Sequence, residues 1–124
     1  MVDPDLSQRH HAFRRLLLDE QADQIFGITD EIAERVRKIG GPTLRSIGDI
    51  SRRQRLKDND EENLTPQKML LELRDDNSHL TGFLRRAHEI CGKHNDVATT
   101  SLIEVWIDQA ERRTWFLTEI VREP

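Results

Sequence analysis

Four acids on one segment are the residues whose types and spacing point to chemistry. Asp19, Asp23, Asp30 and Glu34 recur at intervals of one or two helical turns. At ~100° per residue they form a stripe, roughly a third of a turn away from the apolar face of the same segment. Carboxylates at i and i+4, such as Asp30 and Glu34, project from successive turns of a helix. Such a pair can share a hard or borderline cation through oxygen ligands. Because the stripe lies off the core face, the site would stand at the edge of the fold, where a second subunit can complete it. The plain alternative is a solvated acidic face, with Arg37 and Lys38 close by.

The other reactive side chains carry weaker signals. His10 and His11 lie near the start, His79 and His88 in the second half, and His94 in a turn. None forms the Glu-x-x-His pair of di-iron bundles, and none pairs with another histidine at i, i+4. They are read as surface residues. Cys91 is expected to be a small core residue, and Trp106 and Trp115 packing anchors. Arg14-Arg15, Arg52-Arg53 and Arg112-Arg113 lack interleaved aromatics, so they read as solvated faces and salt bridges rather than a nucleic-acid footprint. The sequence has no Gly-rich phosphate loop, nucleophile elbow or zinc-ligand spacing.

These residues must be positioned by helices. Gly40-Gly41-Pro42 stops a helix, because glycine takes the left-handed cap and proline cannot continue. Thr65-Pro66 starts one, with Thr65 as N-cap and Pro66 in the first turn. Gly92 to Asp96 breaks the chain again, and Asp96 can cap the next helix. Three long amphipathic helices result. The first runs from near Asp5–His10 to Ile39, with Leu18, Ala22, Ile25, Thr29, Ile32, Val36 and Ile39 on its apolar face. The second runs from Pro66 to about Cys91, with Met69, Leu73, Leu80, Leu84, Ala87 and Cys91. The third runs from Val97 to about Arg122, with Leu102, Trp106, Ala110, Leu117 and Ile120. Leu44, Ile47 and Ile50 suit a short helix in the middle connection, and the polar stretch from Arg52 to Asn63 suits a loop. No segment alternates like a half-buried strand. The fold class is all-α, an antiparallel helical bundle with a connection longer than simple up-down topology prefers.

Composition agrees. The 124 residues suit a single domain, 34% of them charged and 5% aromatic, with no tyrosine. That balance favours long surface-exposed helices over a β-sandwich. A net charge of −4 gives little counterion release on DNA and suits a cationic partner such as a metal ion. One cysteine rules out an internal disulfide. The apolar runs are too short to span a membrane, so a soluble cytoplasmic protein is expected.

Three stretches read together resemble the Dps family (DNA-binding proteins from starved cells) of the ferritin-like superfamily. They are Leu16 to Asp23 continuing through Asp30-Glu31-Ile32-Ala33-Glu34-Arg35 to Gly41, then Asp96-Val97-Ala98-Thr99, then Trp106 to Leu117. The resemblance covers about Leu16 to Val121 and matches the family's second, third and fourth helices, with the family's first bundle helix absent. It implies a ferritin-like bundle in a hollow shell of twelve copies, with iron as the metal. It also implies a ferroxidase site across a two-fold interface, to which Asp30 and Glu34 belong. The two histidines that a partner subunit would supply fall at positions held here by Asp3 and Arg15. Only Asp19 fits the closing acid of that signature, while His10 and His11 are nearby but out of register. Asp19, Asp23, His10 and His11 are therefore secondary metal candidates, and Asp96 falls where the family lines its three-fold pores with acids.

The function implied is oxidation of iron by peroxide and storage of ferric mineral, which protects DNA chemically. Direct DNA binding is not expected to be strong, since no lysine-rich tail is present. The alternative is a truncated, catalytically inactive subunit that assembles with itself or with a full-length relative. A third reading is a plain helical interaction module with an accidental acidic stripe.

Overall fold

The computed structural model describes residues 4–122. Asp3, one of the two positions aligned with the family's histidines, lies outside the described residues. The elements are α1 (Pro4–Lys38), α2 (Ile47–Arg53), α3 (Pro66–Lys93) and α4 (Val97–Arg122). No strand occurs among the described residues. The chain divides into two compact units, Met1–Thr43 and Leu44–Pro124.

The first unit is essentially α1. Helix formers fill it, and Arg35, Arg37 and Lys38 in its last turn oppose the negative end of the helix dipole. It ends as the glycines dictate. Gly40 has φ +87°, a conformation that disfavours any side chain. The Gly41 amide donates to the Val36 carbonyl at 2.8 Å, and a Cβ on Gly41 would come within 2.9 Å of Val36 Cγ1. Glycine at both positions thus closes the helix over its own last turn.

The buried positions of α1 are Leu17, Gln21 and Ile28. The expected face through Ala22, Thr29, Ile32 and Ile39 is exposed instead. The buried line is turned by roughly 60° from that expectation. Ala22 and Thr29 offer little apolar area, so they define a face weakly. The amide of Gln21 breaks the pattern a hydropathy count would follow.

The second unit is a helical hairpin preceded by α2. Ser46 caps α2 by accepting from the Asp49 amide at 3.0 Å. Asp49 in turn holds Arg53 at 3.1 Å and Arg52 at 3.5 Å. Thr65 caps α3 by accepting from the Lys68 amide at 3.2 Å, with Pro66 in the first turn. One orphan amide is satisfied this way. Replacing Thr65 by Ala is expected to lower stability by about 1 kcal/mol, measured as a shifted urea midpoint at unchanged m-value. A variant as stable as the parent would mean the cap contributes nothing.

His94 and Asn95 make the turn into α4, Asn95 in the left-handed region at φ 57°. There the Asp96 amide donates back to the Cys91 carbonyl at 2.9 Å. Asn tolerates that backbone better than most residues.

The hairpin core is formed by Leu70, Leu84, Ile103, Trp106, Ala110, Leu117 and Ile120. Ala110 and Leu117 are fully buried, so α3 and α4 approach closely there. Polar residues share this seam. Arg113, 2% exposed, donates from Nε to Asn77 Oδ1 at 2.7 Å, and Asn77 Nδ2 donates to the Leu73 carbonyl at 2.8 Å. Thr81, also buried, donates to the Asn77 carbonyl at 3.0 Å. The seam corrects several sequence expectations. Arg113 is a core residue rather than a solvated one. The α3 face centres on Leu70, Asn77, Thr81 and Leu84, leaving Met69 and Leu73 exposed. Trp115 is 55% exposed and is no packing anchor, whereas Trp106 is buried. Cys91 is only half-buried.

Candidate metal-binding face

The four acids of the stripe all fall on α1, and all four are exposed. At ~100° per residue they point about half a turn away from Leu17, Gln21 and Ile28, farther round than a third of a turn. Asp19 with Asp23, and Asp30 with Glu34, make two i, i+4 pairs on successive turns. Among the described residues no carboxylate of the four takes part in a hydrogen bond or ion pair. Glu34 stands one turn from the end of α1, where the unpaired carbonyls add negative potential.

The same surface is not uniformly polar. Leu16 is 63% exposed and Phe26 79% exposed. Phe26 lies between Asp23 and Asp30 in sequence. Gly27 beside it has open space where a Cβ would stand. An aromatic ring and two acid pairs therefore share one exposed helix surface.

His10 and His11 are exposed on the amino-terminal part of α1. They precede Asp30 by about 19 residues, roughly 28 Å along a helix. No histidine of this helix can reach the Asp30–Glu34 pair within one chain. His11 lines a shallow depression with Gln8, Ala12 and Arg15. The guanidinium of Arg15 there opposes a divalent cation. Among the described residues, no group of three or more His, Cys, Asp or Glu is placed to hold a metal ion. Among the described residues, no third donor of this chain joins the acid pair.

Asp96 is engaged locally. Its carboxylate accepts from the Thr99 amide at 3.2 Å and from the Thr99 hydroxyl. It is the helix cap the sequence suggested, and the capping bonds hold its orientation.

One further group of acids lies outside the stripe. Asp76 on α3 has its carboxyl pushed above the usual aspartate range, first by burial, then by Glu72 and Asp75, while His79 acts in the opposite sense. Glu72 is itself held by Asn59 Nδ2 at 2.7 Å. The signal lay in the i, i+4 spacing of Glu72 and Asp76, hidden among the apolar residues used to define the helix face. A raised folded-state pKa means the native state holds its proton more tightly than the unfolded chain. Ionised Asp76 therefore subtracts stability, and the loss appears as pH rises above the unfolded value of about 3.8. Asp76→Asn should raise stability at pH 7 by under about 1 kcal/mol, with the gain fading toward pH 3. A gain independent of pH in thermal melts would contradict this cause.

Residues 8–123 match the model of the ferritin-like domain, nearly the whole chain, and the chain belongs to that family. Two solved structures share the fold. Dps from Thermosynechococcus elongatus is similar over 89% of this chain and 69% of its own, with a TM-score of 0.83 and 23% identity. Dps from Staphylococcus aureus is similar over 99% of this chain and 78% of its own, with a TM-score of 0.79 and 19% identity. The fold is thus the ferritin-like helical bundle in the form seen in Dps proteins. No curated protein sequence matches the chain. Among the described residues, no helix is long and apolar enough to cross a membrane.

Proposed function

We propose that this chain is a Dps-like subunit that oxidises ferrous iron with peroxide and stores the ferric product, in the cytoplasm, inside a hollow homo-oligomer. Residues 1–124 act as one ferritin-like domain. Asp30 and Glu34 bind the ferrous substrate, with Asp19 and Asp23 as a further acidic station on the same helix. The chemistry follows from charge. Two carboxylates favour Fe³⁺ over Fe²⁺, because the higher charge gains more from each oxygen ligand. Binding therefore makes the metal easier to oxidise, peroxide accepts the electrons, and less hydroxyl radical is left to damage DNA.

The observation that supports this reading most is the state of the Asp30–Glu34 pair. Both carboxylates are exposed and, among the described residues, lack a cationic partner, and the widely exposed Phe26 lies beside them. Exposed large aromatics next to unpaired acids suit an interface at which a second copy covers the ring and completes the ligand set. His10, His11, or another donor of that copy would supply the missing ligands. Asp96, if its capping bonds persist in the oligomer, adds negative charge along an ion path.

The test is the mass of the native particle together with its iron content after ferrous loading. A large closed oligomer that takes up iron supports the proposal. A monomer without iron rejects it. A second reading, an assembly subunit without oxidase activity, is favoured by Arg15, whose charge stands near His11. An oligomer that binds no iron would establish that alternative.

A further inference from the structure

The loop after α2 and the middle of α3 meet at one aromatic ring. The guanidinium carbon of Arg55 lies 5.0 Å from the centroid of Phe83, and that of Arg86 lies 5.0 Å from the same centroid. Each contact is a cation–π interaction, favourable even at an exposed site. Together they bring two positive charges no farther apart than twice that distance. Neither arginine has a carboxylate within ion-pair distance among the described residues. The arginines just before them differ, since Arg52 and Arg53 are both held by Asp49. Arg85, the neighbour of Arg86, is held by Glu111 at 3.1 Å. Asp58 is bound by Gln54 at 3.2 Å. Asp49, Glu111 and Asp58 thus serve other groups, in a chain whose net charge is −4.

We propose that Arg55 and Arg86 form a binding site for inorganic phosphate at the edge of Phe83. Both guanidiniums lie over the Phe83 ring, and the ring's positive edge is left for an anion. A tetrahedral oxyanion placed there receives paired N–H donors from each arginine, the geometry guanidinium suits best. It also removes the repulsion between two cations that lie within about a Debye length of each other. A small anion fits better than a nucleic acid. A polyanion would have to run past Asp58, Asp60, Glu61 and Glu62, which follow shortly after Arg55 in the loop.

Isothermal titration of the full chain with sodium phosphate, in low-salt buffer with chloride as the matched control, tests the site. Wild type should bind about one phosphate per chain. Arg55→Ala and Arg86→Ala should each weaken binding by about tenfold or more, with melting curves confirming the fold. Arg86→Lys, which keeps the charge but loses the paired donors, should fall between wild type and Arg86→Ala. No heat of binding for wild type at millimolar phosphate overturns the proposal. Equal affinity in wild type and both alanine variants does the same. So does binding of a short oligonucleotide with none of orthophosphate.

Discussion

Given ferrous iron and peroxide, the double variant Asp30→Ala/Glu34→Ala should form ferric species at least ~10²-fold more slowly than the parent. That scale is set by metal sites in which loss of a mere supporting partner already costs 10- to 100-fold. The two side chains lie on successive turns of α1, exposed and without partners among the described residues, so removing them should leave α1 intact. Alanine is the best helix former, and exposed positions tolerate it within about 0.5 kcal/mol. The melting curve is thus expected to stay in place while the absorbance trace collapses. Asp19→Ala/Asp23→Ala is the matched control, with the same change in charge three turns away. If it slows the reaction as much as the first variant, the effect is one of general charge, and the assignment to Asp30 and Glu34 fails. If both variants match the parent, the acidic stripe has no part in iron chemistry.

Asn77→Leu should be among the most destabilising single changes in the hairpin of α3 and α4. It removes the acceptor held at 2.7 Å by Arg113 Nε, in a place where water scarcely reaches. Burial already holds the Arg113 pKa below its ordinary value, which reflects the cost of keeping that charge dry. Taking away an acceptor from a buried cation costs about 2–3 kcal/mol. For a domain of this size that is a fall in Tm of roughly 10 °C, at fixed protein concentration. Asn77→Leu/Arg113→Met should recover most of the loss, because two apolar side chains of similar volume replace a polar pair. Thermal unfolding of the three proteins decides the matter. If the double variant is no more stable than Asn77→Leu, the polar pair is not the source of the loss.

These two cases differ in how far the residues announced themselves. Asp30 and Glu34 were visible in the sequence because a carboxylate stripe has a period, and a period survives without coordinates. The helix ends were legible for a similar reason. Thr65-Pro66 and Gly40-Gly41 are local devices whose physics lies within four residues, and α4 begins and ends where Asp96 and the last apolar positions put it. The seam between α3 and α4 was not legible. Periodicity ranks positions by hydropathy, so it placed Met69 and Leu73 inside and left Asn77 and Arg113 unmarked. Their burial depends on a hydrogen bond between residues 36 apart, which no window over one helix contains. Trp115 misled for the converse reason, since its size argues for the core while its position on α4 faces outward. The phosphate site was hidden too. Arg55 and Arg86 become neighbours only once the middle connection folds back onto α3.

The length of α1 carries a last implication. Its 35 residues make a rod of about 52 Å, graduated like a ruler by its acid pairs. Asp19 and Asp30 are separated by eleven residues, close to three whole turns, so both pairs look the same way from marks roughly 16 Å apart. At cellular salt that spacing is about twice the screening distance. Ions seated at the two marks would be nearly invisible to each other, and filling one would neither help nor hinder filling the next.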